Sequence, residues 1–125
     1  MRADHGESEA AMCMGLDWAG QVDEAIKHGR RAVDLDPELP EAYAFLAEAY
    51  TDKGRADKGW EVIQKALELD GGNLIVLRTA GYVLESQGKY KQAVEYYQRA
   101  LEVHPKWVLL HISLARNYLL LRDKD

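Results

Sequence analysis

The chain has 125 residues, 47% hydrophobic and 30% charged, which suits one folded domain and excludes a disordered polypeptide. Sixteen Lys and Arg against 21 Asp and Glu leave a net charge of −5, the opposite of the concentrated basic face that nucleic acid requires. A single cysteine forms no internal disulfide, so no secreted disulfide framework is present.

The N-terminal stretch MRADHGESEAAMCMG carries acids where a signal peptide needs a basic start and an apolar run. The most apolar stretch, Val108 to Leu121, contains His111, Arg116 and Asn117 and is too short to span a bilayer. These features favour a cytoplasmic protein with no membrane insertion.

Internal periodicity dominates the chain. Gly20, Gly54 and Gly88 are spaced by 34 residues, and the same period links Ala32, Ala66 and Ala100. Pro37 and Pro105 lie two periods apart, with Gly71 midway; Asp34, Glu68 and Glu102 follow the same phase. The units read as 6–39, 40–73 and 74–107, followed by a half-unit from Val108. Glycine takes the positive φ that stops a helix, and proline starts one but cannot continue it. In chain order the pattern predicts helices over 7–19, 22–35, 40–53, 56–69, 74–87, 90–103 and 108–121, with no alternating strand pattern. The fold class is all-α, with antiparallel helix pairs.

Small residues recur where helices must approach closely: Cys13, Ala47, Gly81 and Ala115 on the first helix of each unit. Ala25, Gly59 and Ala93 recur on the second. Leu46, Tyr50, Ile63, Leu67, Leu84, Tyr97 and Leu101 fill the space around them. One helix pair cannot bury its own apolar stripe, so each unit needs a neighbour. Burial of each large aliphatic side chain contributes roughly 1.5–3 kcal/mol, so the seams between units dominate stability.

The segments GKYKQAVEYYQRALEVHP and EAYAFLAEAYTDKGR, with small residues at the eighth, twentieth and twenty-seventh positions, resemble the tetratricopeptide repeat (TPR). The resemblance covers residues 6–121. It implies a right-handed superhelical α-solenoid of three units and a terminal helix 108–121, together one domain over 1–125. Gly29 stands where the family prefers a large aromatic residue, so the first repeat is expected to pack loosely. Gly59-Trp60 and Gly71-Gly72 make the second repeat atypical.

The resemblance further implies a scaffold that binds an extended or helical segment of another protein on the concave face of the first helices. The matching positions supply Glu7, Ala10, Met14, Asp17 and Trp18, then Glu41, Ala44, Phe45, Glu48, Thr51 and Asp52. Ile75, Arg78, Thr79, Tyr82, Glu85 and Ser86 follow, and the terminal helix adds Leu109, Ile112, Ser113 and Arg116. The partner-binding residues are therefore expected to be Asp17, Glu41, Phe45, Glu48, Asp52, Arg78, Tyr82, Glu85 and Arg116. With more carboxylates than arginines, this floor predicts a Lys- or Arg-bearing protein or peptide partner. One subfamily grips the carboxylate of chaperone tails with groove lysines and asparagines. The matching places here carry Ala10, Met14, Phe45, Ile75 and Thr79, so that role is disfavoured.

Nothing in the sequence points to an enzyme, a cofactor or a metal. Cys13 occupies a small-residue core position without a basic partner and reads as structural. His5, His28, His104 and His111 lack ligand spacing, with His111 expected to face the interior. Glu41, Glu48, Asp52 and Glu85 read as a solvated acidic face.

The last helix, VLLHISLARNYLLL, breaks the rule that a terminal unit turns a polar face outward. Leu110, Leu114, Ala115 and Tyr118 are expected to pack on the third unit. Leu109, Ile112, Leu119, Leu120 and Leu121 are left over, and point to self-association as a homodimer. An alternative is that the chain is a piece of a longer repeat protein or of a multidomain enzyme or sensor.

Overall fold

Seven α-helices run through the described residues: α1 (Arg2–Trp18), α2 (Val22–Leu35), α3 (Pro40–Asp52), α4 (Ala56–Leu69), α5 (Leu74–Ser86), α6 (Tyr90–Val103) and α7 (Val108–Lys124). This computed structural model describes the backbone over 2–124 and side chains over 5–123, so the expected domain limits at 1 and 125 lie outside the described residues. The expected helices all form; α1 begins earlier and α7 ends later than the periodic pattern indicated.

The glycine series ends the first helix of each pair as expected. Gly20, Gly54 and Gly88 have φ of 86°, 91° and 78°, a region in which any other residue is strained. The following amide reaches back across the turn, as in Gln21 N to Leu16 O at 2.8 Å and Lys89 N to Leu84 O at 2.9 Å. Between pairs the starts differ. Pro40 opens α3, whereas Asn73 caps α5, its Oδ1 accepting from Ile75 N at 2.9 Å and Val76 N at 3.2 Å. This cap supplies the helix start that Gly71-Gly72 cannot.

α1 pairs with α2, α3 with α4 and α5 with α6, while α3 also packs between α1 and α5. The first helices thus stack side by side and form one face of an α-solenoid. The core follows the same logic: Ala44, Ala47, Ile63, Ala66, Val76 and Ala80 make one buried cluster. Leu77, Leu84, Tyr97, Leu110 and Leu114 belong to the next.

The crossing of each pair is set by two positions, the eighth and the twenty-fourth of the unit. They carry Cys13 with Gly29, Ala47 with Ile63, and Gly81 with Tyr97. A Cβ on Gly81 would lie 2.8 Å from the Tyr97 ring, and one on Gly29 would lie 3.0 Å from Cys13 Sγ and 2.8 Å from Leu46 Cδ1. The expected looseness at Gly29 is therefore overturned. Leu46 and Cys13 fill the space that an aromatic residue takes in the third unit. Gly59 is equally constrained, since its Cβ would sit 2.4 Å from Thr51 Oγ1 and 2.9 Å from the Ala47 carbonyl.

Helix α7 differs from its expected packing. Leu110 and Leu114 are buried and Leu121 leans on the same cluster, but Ala115 and Tyr118 are exposed. Ala115 is equivalent to Gly81, whose neighbour Tyr97 comes from the second helix of the pair; α7 has no such helix beside it among the described residues. His111 is also exposed rather than interior, and its Nε2 donates to the Pro105 carbonyl at 2.8 Å.

Overpacking a filled crossing costs about 1–3 kcal/mol, more than the helix propensity of about 1 kcal/mol that alanine gains over glycine. Gly81→Ala should accordingly lower the thermal unfolding midpoint. Adding Tyr97→Ile recreates the Ala47–Ile63 crossing of the second unit and should recover part of the loss in calorimetry.

Candidate functional site: the concave groove

A groove of about 350 Å³ runs along the stacked first helices. Met14 and Trp18 of α1, Phe45 of α3, Ile75 and Tyr82 of α5, and Leu109 and Ile112 of α7 give it an apolar lining. Trp107, just before α7, closes one side, and Arg78, Ser113 and Arg116 are its polar members. Most of the lining comes from the first helices, whose opposite face packs in the core, and Tyr97 of α6 adds to it. Ala10, Ala44, Thr51 and Thr79, expected on this surface, are buried between helices instead. Thr51 donates to the Ala47 carbonyl at 2.8 Å and stays inside.

The expected solvated acidic floor does not form. Glu48 is only 8% exposed; Arg78 Nη2 donates to its Oε1 at 2.7 Å and Trp18 Nε1 to its Oε2 at 3.3 Å. Glu85 accepts from Arg116 Nε at 2.7 Å, Asn117 Nδ2 at 2.9 Å and the Tyr97 hydroxyl at 3.0 Å. Burial opposes ionisation of Glu85, but the hydrogen bonds from Arg116, Asn117 and Tyr97 together outweigh it and hold its carboxyl below the usual range. Glu41, half-buried, accepts from Asn73 Nδ2 at 3.3 Å. Asp52 is exposed at the rim and accepts from the Tyr82 hydroxyl. Burial, followed by this carboxylate, raises the Tyr82 phenol above its ordinary range.

Asp17 stands apart. It is 6% exposed, and neither of its oxygens receives a hydrogen bond from a protein donor. Burial pushes its carboxyl up to about 8, helped by Asp52 and by the Glu48 charge. Burial also lifts the Cys13 thiol to about 12, with the Asp17 and Glu48 charges adding to it. At neutral pH Cys13 is therefore a protonated, sealed thiol and no nucleophile.

The five residues expected to mediate self-association differ in exposure. Leu109 and Ile112, 59% and 52% exposed, belong to the groove. Leu120 and Leu121 are both half-buried, and Leu121 packs against the core. Leu119 is exposed at 52% and is flanked by exposed Tyr118 and Ala115. Sequence reasoning passed over Trp107 and Asn117. Asn117 was legible as an anomaly, since its repeat equivalents are Val83 and Ala49 and it is fully buried.

The profile of the tetratricopeptide repeat family matches residues 38–106. The chain belongs to the tetratricopeptide repeat family. The small glutamine-rich tetratricopeptide repeat-containing protein 2 of Mycosarcoma maydis is 31% identical over 91 residues, which is 73% of this chain and 26% of that protein. The chain thus spans about a quarter of that relative's length. In fold, the first TPR domain of human RPAP3 superposes with a TM-score of 0.88 at 20% identity, covering 98% of this chain and 96% of that one. The first TPR of Spaghetti bound to an HSP90 peptide gives 0.86 at 20% identity, with 96% and 98% coverage. At these identities the likeness is one of fold. Within the TPR groove, none of the five positions matching the chaperone-tail clamp is cationic, and Ala10 and Thr79 are buried. No helix among the described residues is long and apolar enough to cross a membrane.

A folded-state carboxyl at about 8 against an ordinary 3.8 means that the native state holds a proton the unfolded chain releases. Stability from this group is full below 3.8 and is lost as pH rises towards about 8. Asp17→Asn should flatten that part of the stability–pH curve in urea titrations. Glu85 acts in the opposite sense and only in the acid range, so the two contributions separate.

Proposed function

We propose that the concave groove seats a segment of a partner protein, anchored by apolar side chains and flanked by basic ones. The observation that carries this reading is the apolar lining between Trp18, Phe45 and Ile112, open along one face of the stack. Membership of the TPR family, and fold neighbours solved with HSP90 and HSP70 peptides, support a protein-interaction module rather than an enzyme. Aromatic and long aliphatic side chains in a concave site supply the anchoring area of an interface. Arg78 and Arg116 are already paired with Glu48 and Glu85, so they offer little to an acidic tail. Exposed Glu7 and Asp52 and half-buried Glu41 remain at the rim, and favour Lys or Arg beside the anchors. On this reading units 6–39, 40–73 and 74–107 and the terminal helix act as one domain.

Selection from a random peptide library against the immobilised chain should return apolar segments flanked by basic residues. Phe45→Ala or Ile112→Asp should weaken a selected peptide by on the order of tenfold or more, as loss of a central anchor does. Asp52→Lys should reduce the salt dependence of binding, because rim charges act over about 8 Å at physiological ionic strength. Peptides that bind these variants and the parent chain equally would overturn the groove as the binding surface.

A second reading, homodimer formation, rests on the flank of α7 that carries exposed Val108, Ala115, Tyr118 and Leu119. Pairing of two such flanks around a two-fold axis would cover both copies. Light scattering after size exclusion should then give a dimer that Leu119→Glu converts to monomer. A chain that remains monomeric at high concentration would end this reading and leave the groove reading intact.

A further inference from the structure

The twelfth position of the unit is acidic twice, as Asp17 and as Glu85. Glu85 is satisfied by Tyr97, Arg116 and Asn117. Two periods earlier those three positions hold Gly29, Glu48 and Ala49. Asp17 has therefore lost every donor that its counterpart enjoys. Where Glu85 meets a guanidinium, Asp17 meets a second carboxylate, and Asp52 brings a third.

One oxygen from each of Asp17, Glu48 and Asp52 lies within 4.8 Å of the others. Independently of that cluster, Asp17 is a carboxylate 6% exposed, with both oxygens unpartnered. We propose that Asp17, Glu48 and Asp52 form a site for a hard divalent cation of the Ca²⁺ or Mg²⁺ type, joining the first repeat to the second. The cation takes the place that Arg116 fills in the third unit. Because it needs no partner protein, the site stands or falls apart from the groove reading.

Size and charge both fit. Calcium binds oxygens at about 2.3–2.6 Å, so ligands on opposite sides of it lie roughly 5 Å apart. Once a bound cation has displaced the proton from Asp17, three ionised carboxylates beside the Arg78 guanidinium carry a net charge of −2, which one divalent ion cancels. Each Glu48 oxygen already accepts a hydrogen bond, from Arg78 or from Trp18, and keeps a lone pair for the ion. Exposed Asp52 gives access from solvent, with water completing the coordination shell. Softer, thiolate-bound metals are disfavoured, because the neighbouring Cys13 is fully buried and protonated.

The test uses the whole chain, stripped with chelator and titrated with CaCl₂ and MgCl₂ by calorimetry, with thermal unfolding alongside. Binding of one ion per chain is expected, with Kd on the order of 10⁻⁴–10⁻³ M for so few protein ligands. The unfolding midpoint should rise by roughly 10 °C at a hundredfold excess over Kd. Asp17→Asn and Asp52→Asn should each weaken binding on the order of tenfold or more. Asp52 is at the surface, so that variant keeps the test sound even where the buried change disturbs folding. Tb³⁺ bound in place of Ca²⁺ should luminesce through the Trp18 indole, and Trp18→Phe should dim that emission while Ca²⁺ heats persist. Absence of heat and of any midpoint shift at about 20 mM of either ion, well above the weakest protein Ca²⁺ sites, would overturn the proposal. So would binding that survives in the Asp17→Asn, Asp52→Asn double variant, since that places the ion on other carboxylates.

Discussion

Where the two helices of a repeat cross, a nearly constant volume is available, and each unit fills it with a different division of labour. Tyr97 fills the third crossing and leaves room for nothing beyond Gly81 opposite it; Ile63 permits Ala47; Gly29 permits Cys13 and admits Leu46 from the next helix. Interiors are packed as densely as organic crystals, so this sum cannot drift far. The crossing sets the distance between the two helices of a pair, and hence the placement of one first helix beside the next. The groove is the surface those first helices share. Its shape therefore depends on the six crossing residues, of which Tyr97 also lines the groove.

The polar groups of the groove repeat a second device. Trp18 reaches Glu48, Arg78 reaches Glu48, Tyr82 reaches Asp52 and Arg116 reaches Glu85, each across thirty or thirty-one residues. Each bond joins one first helix to the next a little short of a full period, so it ties adjacent units at their inner edge. Glu48 and Glu85 are largely withdrawn from water, where a paired charge is costly to break and weak evidence for net stability. What these pairs provide is orientation: they hold Trp18, Arg78 and Arg116 in fixed positions along the groove. On the proposed reading, recognition falls to the apolar lining, with charge contributed only from the rim.

The helices, their turns and the family were legible because each rests on residues close in sequence and repeated in phase. Gly20, Gly54 and Gly88 needed no tertiary knowledge to be read as helix ends. Gly29 was misjudged because its meaning depends on Leu46, a residue from another unit. The acids were misjudged for a related reason. Glu48 on its own helix looks like a solvated residue, and only the i+30 arginine explains its burial. On α7, Ala115 and Tyr118 were expected on the buried stripe and are exposed instead. The buried stripe runs through Leu110, Leu114 and Asn117, with Leu121 leaning on it, while Leu109 and Ile112 turn towards the groove.

α7 connects the two surfaces of the molecule. Leu109, Ile112 and Arg116 form the end of the groove, and Ala115 and Leu119 of the same helix lie on its open flank. The helix is held to the stack through α6, and to α5 by the pairing of Arg116 and Asn117 with Glu85. A rigid helix cannot tilt on one side without moving the other. A tilt of α7 would therefore also change how far Leu109 and Ile112 stand from Phe45 and Ile75 across the groove. The bonds from Arg116 and Asn117 to Glu85 tie this helix to α5 and so hold the end of the groove in place.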